Sequence, residues 1–242
     1  MAKNRGGTLD QMRRQLRTTR HLFRALIGKD LRLPVELDCQ RSFLGNERAQ
    51  WCICPTGLSP ESVVYSFGVG QDISFDQELI ECFGVRVHAF DPTPRSIAWV
   101  KSQQLPARFV FHEYGVADYD GTATFRPPEN SSYVSYTVVP RPGQPDSSIG
   151  ARVHRLSTIM KMLGHERIHL LKMDIEGSEY AAIEDLHTSG VAVDQLLVEF
   201  HHRWKELGVQ QTAKTVRNLH RAGYRIFDVS PSGEEYSFLK LR

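Results

Sequence analysis

A short apolar segment that ends in two glycines constrains the fold of this chain most strongly. Residues 63–67 (Val-Val-Tyr-Ser-Phe) predict a buried strand, and Gly68 and Gly70 follow in a turn. About twenty residues later, the segment 88–92 (His-Ala-Phe-Asp-Pro) predicts a strand that ends at Asp91. In a doubly wound α/β sheet, such a turn lets a ligand approach the backbone, and the carboxylate can bind ribose hydroxyls. The pattern therefore predicts a nucleoside-cofactor site.

Alternating strand and helix patterns continue from this turn almost to the end of the chain. Strands are predicted at 63–67, 85–90, 108–112, 121–125, 168–174, 195–200, 223–229 and 235–241, and helices at 73–83, 94–104, 157–163, 178–186 and 210–222. The short turn at 230–233 suits a hairpin of the last two strands. We therefore expect a Rossmann-like, doubly wound α/β fold. Its mostly parallel sheet ends in an antiparallel hairpin, which is the architecture of class I methyltransferases.

The N-terminal region precedes this alternation. A capping box of Thr8 and Gln11 begins a helix that ends at Gly28, with an apolar stripe at helical spacing and arginines around the rest of its circumference. We expect the stripe to pack on the domain or on a partner subunit, which would give a homo-oligomer. Membrane and RNA binding are the alternatives. Residues 29–60 contain prolines and no sustained period, and they predict an irregular lead-in.

We accordingly expect two parts in this chain, an N-terminal extension at 1–60 and a domain at 61–242. The domain contains an insertion at 121–150 that breaks the alternation and carries Tyr133 and Tyr136. A connection of this length without a helical pattern is often functional. We expect the insertion to cover the ligand site, where the faces of the two tyrosines suit a sugar ring or a similar group.

Charge is distributed unevenly along the chain. Residues 1–32 contain nine lysines and arginines and two aspartates, a balance of +7, and the whole chain carries +2, so the remainder carries −5. The acidic remainder and the absence of a base-stacking motif argue against nucleic acid as a partner. No apolar run approaches the roughly 18–20 residues of a transmembrane helix, and no secretory signal or disulfide framework is evident. These features favour a soluble cytoplasmic protein.

The glycine turn distinguishes between nucleotide cofactors. A dinucleotide fingerprint requires a third glycine, but this chain has Ile73 at that position, so a pyrophosphate fits poorly. S-adenosylmethionine (SAM) contains no phosphate. It needs a turn that admits its methionine part and a carboxylate for its ribose, which Gly68, Gly70 and Asp91 supply. We therefore expect SAM as the cofactor.

Two later strands bring polar groups to the same edge of the predicted sheet. One strand ends at Asp174, and the next carries Glu199 and is followed by His201 and His202. Open α/β sheets bind ligands at this edge. His201 is a candidate general base because imidazole titrates near neutral pH. Asp174, Glu199 and His201 also suit a divalent cation, but no spacing rule requires a metal and we do not expect one.

These segments together resemble the FkbM family of SAM-dependent methyltransferases. The resemblance covers residues 63–241 and rests on four segments, namely 68–70 (Gly-Val-Gly), 88–92, 171–179 (Leu-Lys-Met-Asp-Ile-Glu-Gly-Ser-Glu) and 198–201 (Val-Glu-Phe-His). The family implies a Rossmann-like fold and transfer of a methyl group from SAM, typically to a hydroxyl oxygen of a sugar or other natural product. It also implies that Gly68, Gly70 and Asp91 contact the cofactor and that Asp174 lies near the methyl donor.

One position departs from the class I pattern. These enzymes usually have an acid two residues before the first motif glycine, where this chain has Ser66, so we expect Asp72 or a water to fix the methionine end. The expected activity is O-methylation of a small-molecule or carbohydrate acceptor. His201 would be the base, Asp174 or Glu199 would orient it, and His202 and the tyrosines of the insertion would contact the acceptor. The alternatives are a SAM-binding module without turnover and a nucleic-acid or protein methyltransferase that uses the basic helix.

Overall fold

Strands and helices alternate along most of the protein. The computed structural model describes residues 8–47, 49–128, 135–140 and 147–241. In chain order the elements are α1 (Thr8–Leu26), β1 (Ser42–Leu44), β2 (Trp51–Ile53), β3 (Val63–Phe67), α2 (Ser74–Phe83), β4 (Arg86–Phe90), α3 (Pro94–Ser102), β5 (Phe109–His112), β6 (Gly115–Val116), β7 (Gly121–Phe125), β8 (Ile149–His154), α4 (Leu156–Leu163), β9 (Ile168–Met173), α5 (Glu179–Thr188), β10 (Val193–Glu199), α6 (Gly208–Arg221), β11 (Tyr224–Val229) and β12 (Glu235–Lys240).

A seven-stranded sheet in the order β11-β12-β10-β9-β3-β4-β5 forms the centre of the fold. Neighbouring strands pair in parallel from β10 to β5. Strand β12 pairs antiparallel with both β10 and β11. The prediction of a mixed α/β fold with a large, mostly parallel sheet is confirmed.

The central strands are buried on both faces. Val64 and Leu170 belong to one apolar core, and Tyr65 and Leu171 belong to another, as strand alternation requires. Helix-covered parallel sheets have this near-continuous apolar character. Polar groups that these strands carry therefore meet solvent only at the strand ends, and the carboxyl ends form the edge where the functional residues collect.

The lead-in is more ordered than the sequence predicts. Strands β1 and β2 pair as an antiparallel hairpin, and β2 is buried. Its neighbour Cys54 exchanges backbone hydrogen bonds with the Gln195 side chain, at 2.9 Å for Cys54 N and 2.6 Å for Cys54 O. The hydroxyl of Ser237 donates to Cys52 O at 2.8 Å. The irregular lead-in predicted at 29–60 thus contains two strands, which the sequence does not reveal because three-residue strands are too short to show a period.

The insertion also contains a strand that the sequence does not predict. Strand β8 pairs antiparallel with β7 and parallel with β6, and the three form a separate small sheet. Proline and glycine around β8 hide its alternating pattern from a sequence reading. Within the insertion, residues 129–134 and 141–146 lie outside the described residues.

Helix α1 is attached to the body through its last turns. Asp30 is buried, and its carboxylate accepts hydrogen bonds from Arg24 Nε at 3.3 Å and from Arg203 Nε at 2.9 Å. His21 packs its ring against Gly233 in the turn between β11 and β12, at the edge of the sheet that carries the cleft described below. Among the described residues, no helix is both long and apolar enough to cross a bilayer.

A cluster of three histidines lies against one face of the sheet. His88 Nδ1 on β4 is 3.1 Å from His112 Nε2 on β5, and the ring of His165 lies 5.0 Å from that of His88. Tyr65 makes a 2.8 Å hydrogen bond with His165 Nδ1. Burial, together with the charges of neighbouring His112, His165 and Arg86, lowers the pKa of His88 to about 4. Burial also lowers the pKa values of His112 and His165. The folded state thus favours neutral rings.

We expect acidification to destabilise the protein through this cluster. A folded-state pKa below the unfolded value means that the unfolded chain takes up protons first as the pH falls below about 6.5, so the free energy of unfolding decreases. For His88 alone the loss between pH 7 and pH 5 is about 2 kcal/mol. This loss is measured by urea unfolding at pH 7 and pH 5 of the wild type, of His88→Gln and of His187→Gln, a control at an exposed histidine. Identical pH dependence in wild type and His88→Gln would contradict the assignment.

Candidate active site

A cleft opens at the carboxyl ends of β3, β4 and β9. Its lining includes most of the residues that the sequence singles out, namely Gly68, Gly70, Asp72, Asp91, Tyr136, Asp174 and Glu199. Among the described residues that line it are six carboxylates, those of Asp72, Asp91, Asp174, Glu176, Glu199 and Glu235, and one ammonium group, that of Lys172. The cleft is therefore strongly acidic, and it lies at the edge where open parallel sheets bind ligands.

Gly68 ends β3 in a conformation that only glycine adopts at low cost. Its φ is +84°, and a Cβ atom at this position would overlap the carbonyl oxygen of Asp174. Its amide donates to Phe90 O at 3.0 Å, and the amide of Asp174 donates to Phe67 O at 3.1 Å. The glycine turn and the end of β9 are thus in direct backbone contact, so two motifs separated by about a hundred residues form one site.

Asp91 links the glycine turn to the turn that follows β4. Its carboxylate accepts hydrogen bonds from Gly70 N at 3.0 Å, from Thr93 N at 2.9 Å and from Thr93 Oγ1 at 2.6 Å. The side chain is almost completely buried and also lines the cleft. Asp91 therefore fixes the position of the backbone that a cofactor ribose would contact.

Lys172 is a further candidate site residue, to which the sequence analysis assigns no role. It lies on the apolar strand β9, is 7% exposed, and donates from Nζ to Gly68 O at 2.9 Å. Its ammonium group also lies 5.5 Å from the centre of the Trp51 ring, within the range of a cation–π interaction. A charged residue inside an otherwise apolar strand is the sequence signal that points to it.

Ser66 does not reach the cleft. It is fully buried and is not among the residues that line the cleft, and Asp76, in the first turn of α2, is buried as well. Burial raises the pKa of Asp76 to about 6, although the charge of Lys172 opposes the rise. Asp72 does line the cleft. Burial opposes its ionisation, but hydrogen bonds from Ser74 and Asn46 outweigh burial and lower its pKa.

His201 lies in a group of carboxylates at the back of the cleft. Its Nε2 is 3.3 Å from Glu176 Oε2 and 4.0 Å from Glu199 Oε1, and its Nδ1 is 3.1 Å from Glu179 Oε1. The ring is 7% exposed and is not among the residues that line the cleft, whereas Glu199 is. The structure thus brings His201, Glu199 and Asp174 together but presents only the two carboxylates to the cleft.

These groups shift one another's protonation. Burial alone would lower the pKa of His201, but the charges of Glu179 and Glu176 raise it well above its usual value. Burial raises the pKa of Asp174 to about 6, with Lys172 and His201 opposing the rise. Burial and the charge of Asp174 raise the pKa of Glu199 well above its usual value. The imidazole is therefore held as a cation, and both carboxyl groups keep their protons to a higher pH than ordinary carboxyl groups do.

A metal ion in this group of side chains would have to compete with hydrogen bonds that one of its candidate ligands already makes to the backbone. Single ligand atoms of Asp174, Glu179 and His201 lie within 4.8 Å of one another. However, Glu179 is completely buried, and its two oxygens accept hydrogen bonds from Ile175 N at 2.9 Å and from Gly177 N at 3.0 Å. These bonds close the turn before α5. Glu179 thus fixes that turn, in addition to the dipole role that its position at the start of the helix predicts.

The described part of the insertion forms one wall of the cleft. Tyr136 lines the cleft together with Ser135 and Phe125. The hydroxyl of Thr137 donates to Glu176 O at 2.6 Å, which ties this wall to the turn after β9. Tyr133 lies outside the described residues, so its predicted contact with the acceptor stays a prediction.

His202 is placed away from the cleft. Its side chain is fully buried, and its Nε2 lies 2.6 Å from Asp30 Oδ1. His202 lies on the opposite side from His201, beside Asp30, and is not among the described residues that line the cleft, so its predicted contact with the acceptor stays a prediction. We assign His202 a structural role in attaching the segment that follows α1.

Comparison with known proteins agrees with this geometry. Residues 62–226 match the family model of the methyltransferase FkbM domain. Two curated relatives, both named "Probable methyltransferase-like protein 24", are 25% identical (Rattus norvegicus) and 24% identical (Homo sapiens) over 174 residues. The alignments cover 68% of this chain but 42% and 41% of the relatives, so the chain spans less than half of their length.

No solved structure was found that matches the chain significantly. The match to the family model extends over more than half of the chain and contains the glycine turn, Asp91, Asp174, Glu199 and His201. The chain therefore belongs to the methyltransferase FkbM domain family.

Proposed function

We propose that this protein transfers a methyl group from SAM to a hydroxyl oxygen of a small-molecule or carbohydrate acceptor. The observation that carries the proposal is the convergence of the Gly68 turn, Asp91 and Asp174 on one cleft. The order of the strands supports a class I, Rossmann-like fold, because the one strand inserted antiparallel beside β10 is the last strand of the chain, β12. A methyltransferase also agrees with the family match.

The two ends of SAM find different partners in the proposed complex. Asp91, beside the glycine turn, would accept hydrogen bonds from the ribose hydroxyls. Asp72 and Lys172 would hold the methionine end, which carries one ammonium and one carboxylate group, so that a carboxylate and an ammonium side chain match it in charge. Asp72 thus compensates for the missing acid at position 66, as the sequence predicts. The acidic remainder of the cleft favours the positive sulfonium.

The chemical step requires positioning and removal of one proton. When bound, SAM would supply an electrophilic methyl carbon, and its transfer to the acceptor oxygen would break the methyl–sulfur bond and leave S-adenosylhomocysteine. The residues of the cleft would position the acceptor for this transfer. The acceptor proton goes to the carboxylate of Glu199, which lines the cleft and whose pKa is raised well above its usual value by burial and by the charge of Asp174. His201 acts through Glu199 as a positioning residue, because its positive charge favours the ionised carboxylate. Asp174 lies beside both groups.

This division of roles differs from the one predicted from sequence, in which His201 is the base. The surrounding carboxylates hold His201 protonated, so we assign proton acceptance to Glu199 instead. We do not favour a divalent cation, since Glu179 is committed to the backbone of its turn. Tyr136 and the insertion contact the acceptor. The composition of the chain agrees with a soluble protein that acts in the cytoplasm.

A SAM-binding module without turnover and a nucleic-acid or protein methyltransferase are the competing functions. Release of S-adenosylhomocysteine on incubation with SAM and a panel of sugars and hydroxylated natural products decides the matter. We expect release with at least one hydroxyl acceptor. Tight SAM binding without release for any acceptor would favour the module, and release with RNA or a protein alone would favour the third function.

We expect Glu199→Gln to lower turnover by about 10²–10⁴-fold, the usual contribution of a general base. Wild-type turnover should rise with pH as the Asp174–Glu199 pair loses its proton and then level off. His201→Gln should move this rise to higher pH, because the positive charge that favours ionised Glu199 is gone. Glu184→Gln, on the exposed face of α5, is the matched control. A pH profile without any rise in His201→Gln would instead identify His201 as the base.

Asp174→Asn should stabilise the protein while it removes activity. A carboxyl whose pKa is raised to about 6 from 3.8 opposes folding once the pH exceeds its unfolded value, so the penalty is fully present at pH 8. Removing the charge should increase the free energy of unfolding there by up to about 3 kcal/mol and have little effect at pH 4. Urea titrations at both pH values measure this. Equal or lower stability of Asp174→Asn at pH 8 would contradict the electrostatic assignment.

A further inference from the structure

We propose that helix α1 docks the protein onto an anionic phospholipid membrane, with its apolar stripe in the lipid interface. The stripe does not pack on the domain. Its described members Met12, Leu16, Phe23 and Leu26 are 61%, 71%, 62% and 86% exposed. The sequence suggested that this stripe would cover the domain or a partner subunit, and the first of these two is excluded for the described side chains.

The attachment of α1 fixes which side is exposed. His21 and Arg24 bind the buried Asp30 region, and the His21 ring packs on Gly233. Residues 15–20 are exposed on all sides, so the helix extends beyond the body from this anchor. A helix of this length gains most of its stability from burying its apolar side, and within the described chain that side has no cover. The exposed stripe therefore requires an external surface.

A second, basic stripe lies beside the apolar one. Arg17 follows Leu16 and Arg24 follows Phe23, while Arg20 lies one turn from both Leu16 and Phe23. Arg17 and Arg20 are exposed. Arginine side chains at this boundary reach the lipid headgroups while their methylene groups remain against the apolar phase. The apolar stripe thus matches the acyl region of an anionic bilayer, and the basic stripe beside it matches the negatively charged headgroups.

The charge of the helix argues against a second copy of the chain as the occupant. The 19 residues of α1 contain five arginines and one acid, Asp10. Pairing α1 with another α1 would bring ten arginines together against two acids within the helices, the two copies of Asp10. An anionic bilayer supplies the opposite charge and attracts each basic residue near its surface. Residues 33–242, at −5, are repelled by the same surface, so α1 directs the contact.

Nucleic acid fits this surface less well than lipid. Single-stranded RNA is bound through base stacking on aromatic rings, and Phe23 is the one exposed aromatic side chain among the described residues of the helix. Exposed aliphatic side chains such as Leu16 and Leu26 contribute nothing to phosphate binding. Their burial in lipid is favourable by roughly 25 cal/mol per Å².

Docking through α1 would bring the candidate active site close to the bilayer. The Asp30 anchor holds His202 and Arg203, which follow His201 directly in the chain. The helix is thus attached to the same edge of the sheet as the cleft. A membrane-associated hydroxyl compound is therefore the acceptor class that this surface favours, a consequence that rests on the proposed function; the docking itself does not.

Sedimentation of the full chain with vesicles tests the proposal. We expect binding to vesicles of phosphatidylcholine with 30% phosphatidylserine, weakening as salt is raised, and little binding to phosphatidylcholine alone. Arg17→Gln with Arg20→Gln should weaken binding on the order of thirtyfold, since each basic residue contributes about 1 kcal/mol near the surface. Leu16→Gln with Phe23→Gln should weaken it more than tenfold.

Matched variants control for charge and exposure elsewhere. Lys214→Gln with Arg217→Gln removes two exposed cations from α6, and Tyr119→Gln with Met162→Gln removes two exposed apolar side chains. Both should bind vesicles like wild type. Unfolding curves of each variant distinguish loss of folding from loss of docking. Binding of S-adenosylhomocysteine shows separately whether the proposed function fails.

Three outcomes would overturn the proposal. One is no sedimentation with anionic vesicles, or equal sedimentation with neutral ones. Another is a dimer in light scattering that Leu16→Gln with Phe23→Gln dissociates, which would identify a second copy as the occupant. The third is RNA binding that Arg17→Gln with Arg20→Gln abolishes while vesicles do not bind.

Discussion

The close backbone contact between Gly68 and Asp174 is the constraint on which the rest of the site depends. Strands β3 and β9 are neighbours, and the turn after one passes against the end of the other at a distance that excludes any side chain at position 68. Lys172 reinforces the contact by donating to Gly68 O. Any change in the register of these strands would therefore move the glycine turn and the Asp174 side of the cleft together.

The second property of the site is its concentration of negative charge. Burial raises the pKa values of Asp174 and Glu199, and the described cleft lining contains one compensating cation, Lys172, with His201 behind it. Glu176, in the same group, has a φ of +54°, which is uncommon outside glycine. Strain and repulsion of this kind oppose folding and persist where a ligand relieves them. A cationic sulfonium is such a ligand.

The periodicity of apolar residues, together with the positions of glycines and prolines, predicts most of the strands of the sheet. Strand β3 is predicted with its observed ends, and Gly68 marks its end because glycine tolerates the positive φ that the turn needs. Strands β2 and β8 escape detection because three residues show no period and because prolines and glycines surround β8. The cleft edge is predictable, since parallel strands deliver their carboxyl ends to one side.

Side-chain roles depend on long-range contacts that the sequence does not contain. The alternation of side chains predicts that His201 and His202 point to opposite sides. That His202 contacts Asp30, however, is visible only in the structure. The protonated state of His201 follows from Glu176 and Glu179, which a preceding strand and turn bring beside it. The stripes of α1 are visible in the sequence, whereas their exposure is not.

Calorimetric titration of the full chain with SAM, and with NAD⁺ in parallel, tests the central claim most directly. If the Gly68 turn, Asp91 and the Lys172–Asp72 pair form a SAM site, SAM should bind with one molecule per chain and NAD⁺ should not bind or displace it. Absence of SAM binding by the folded protein, or displacement of SAM by NAD⁺, would contradict the claim.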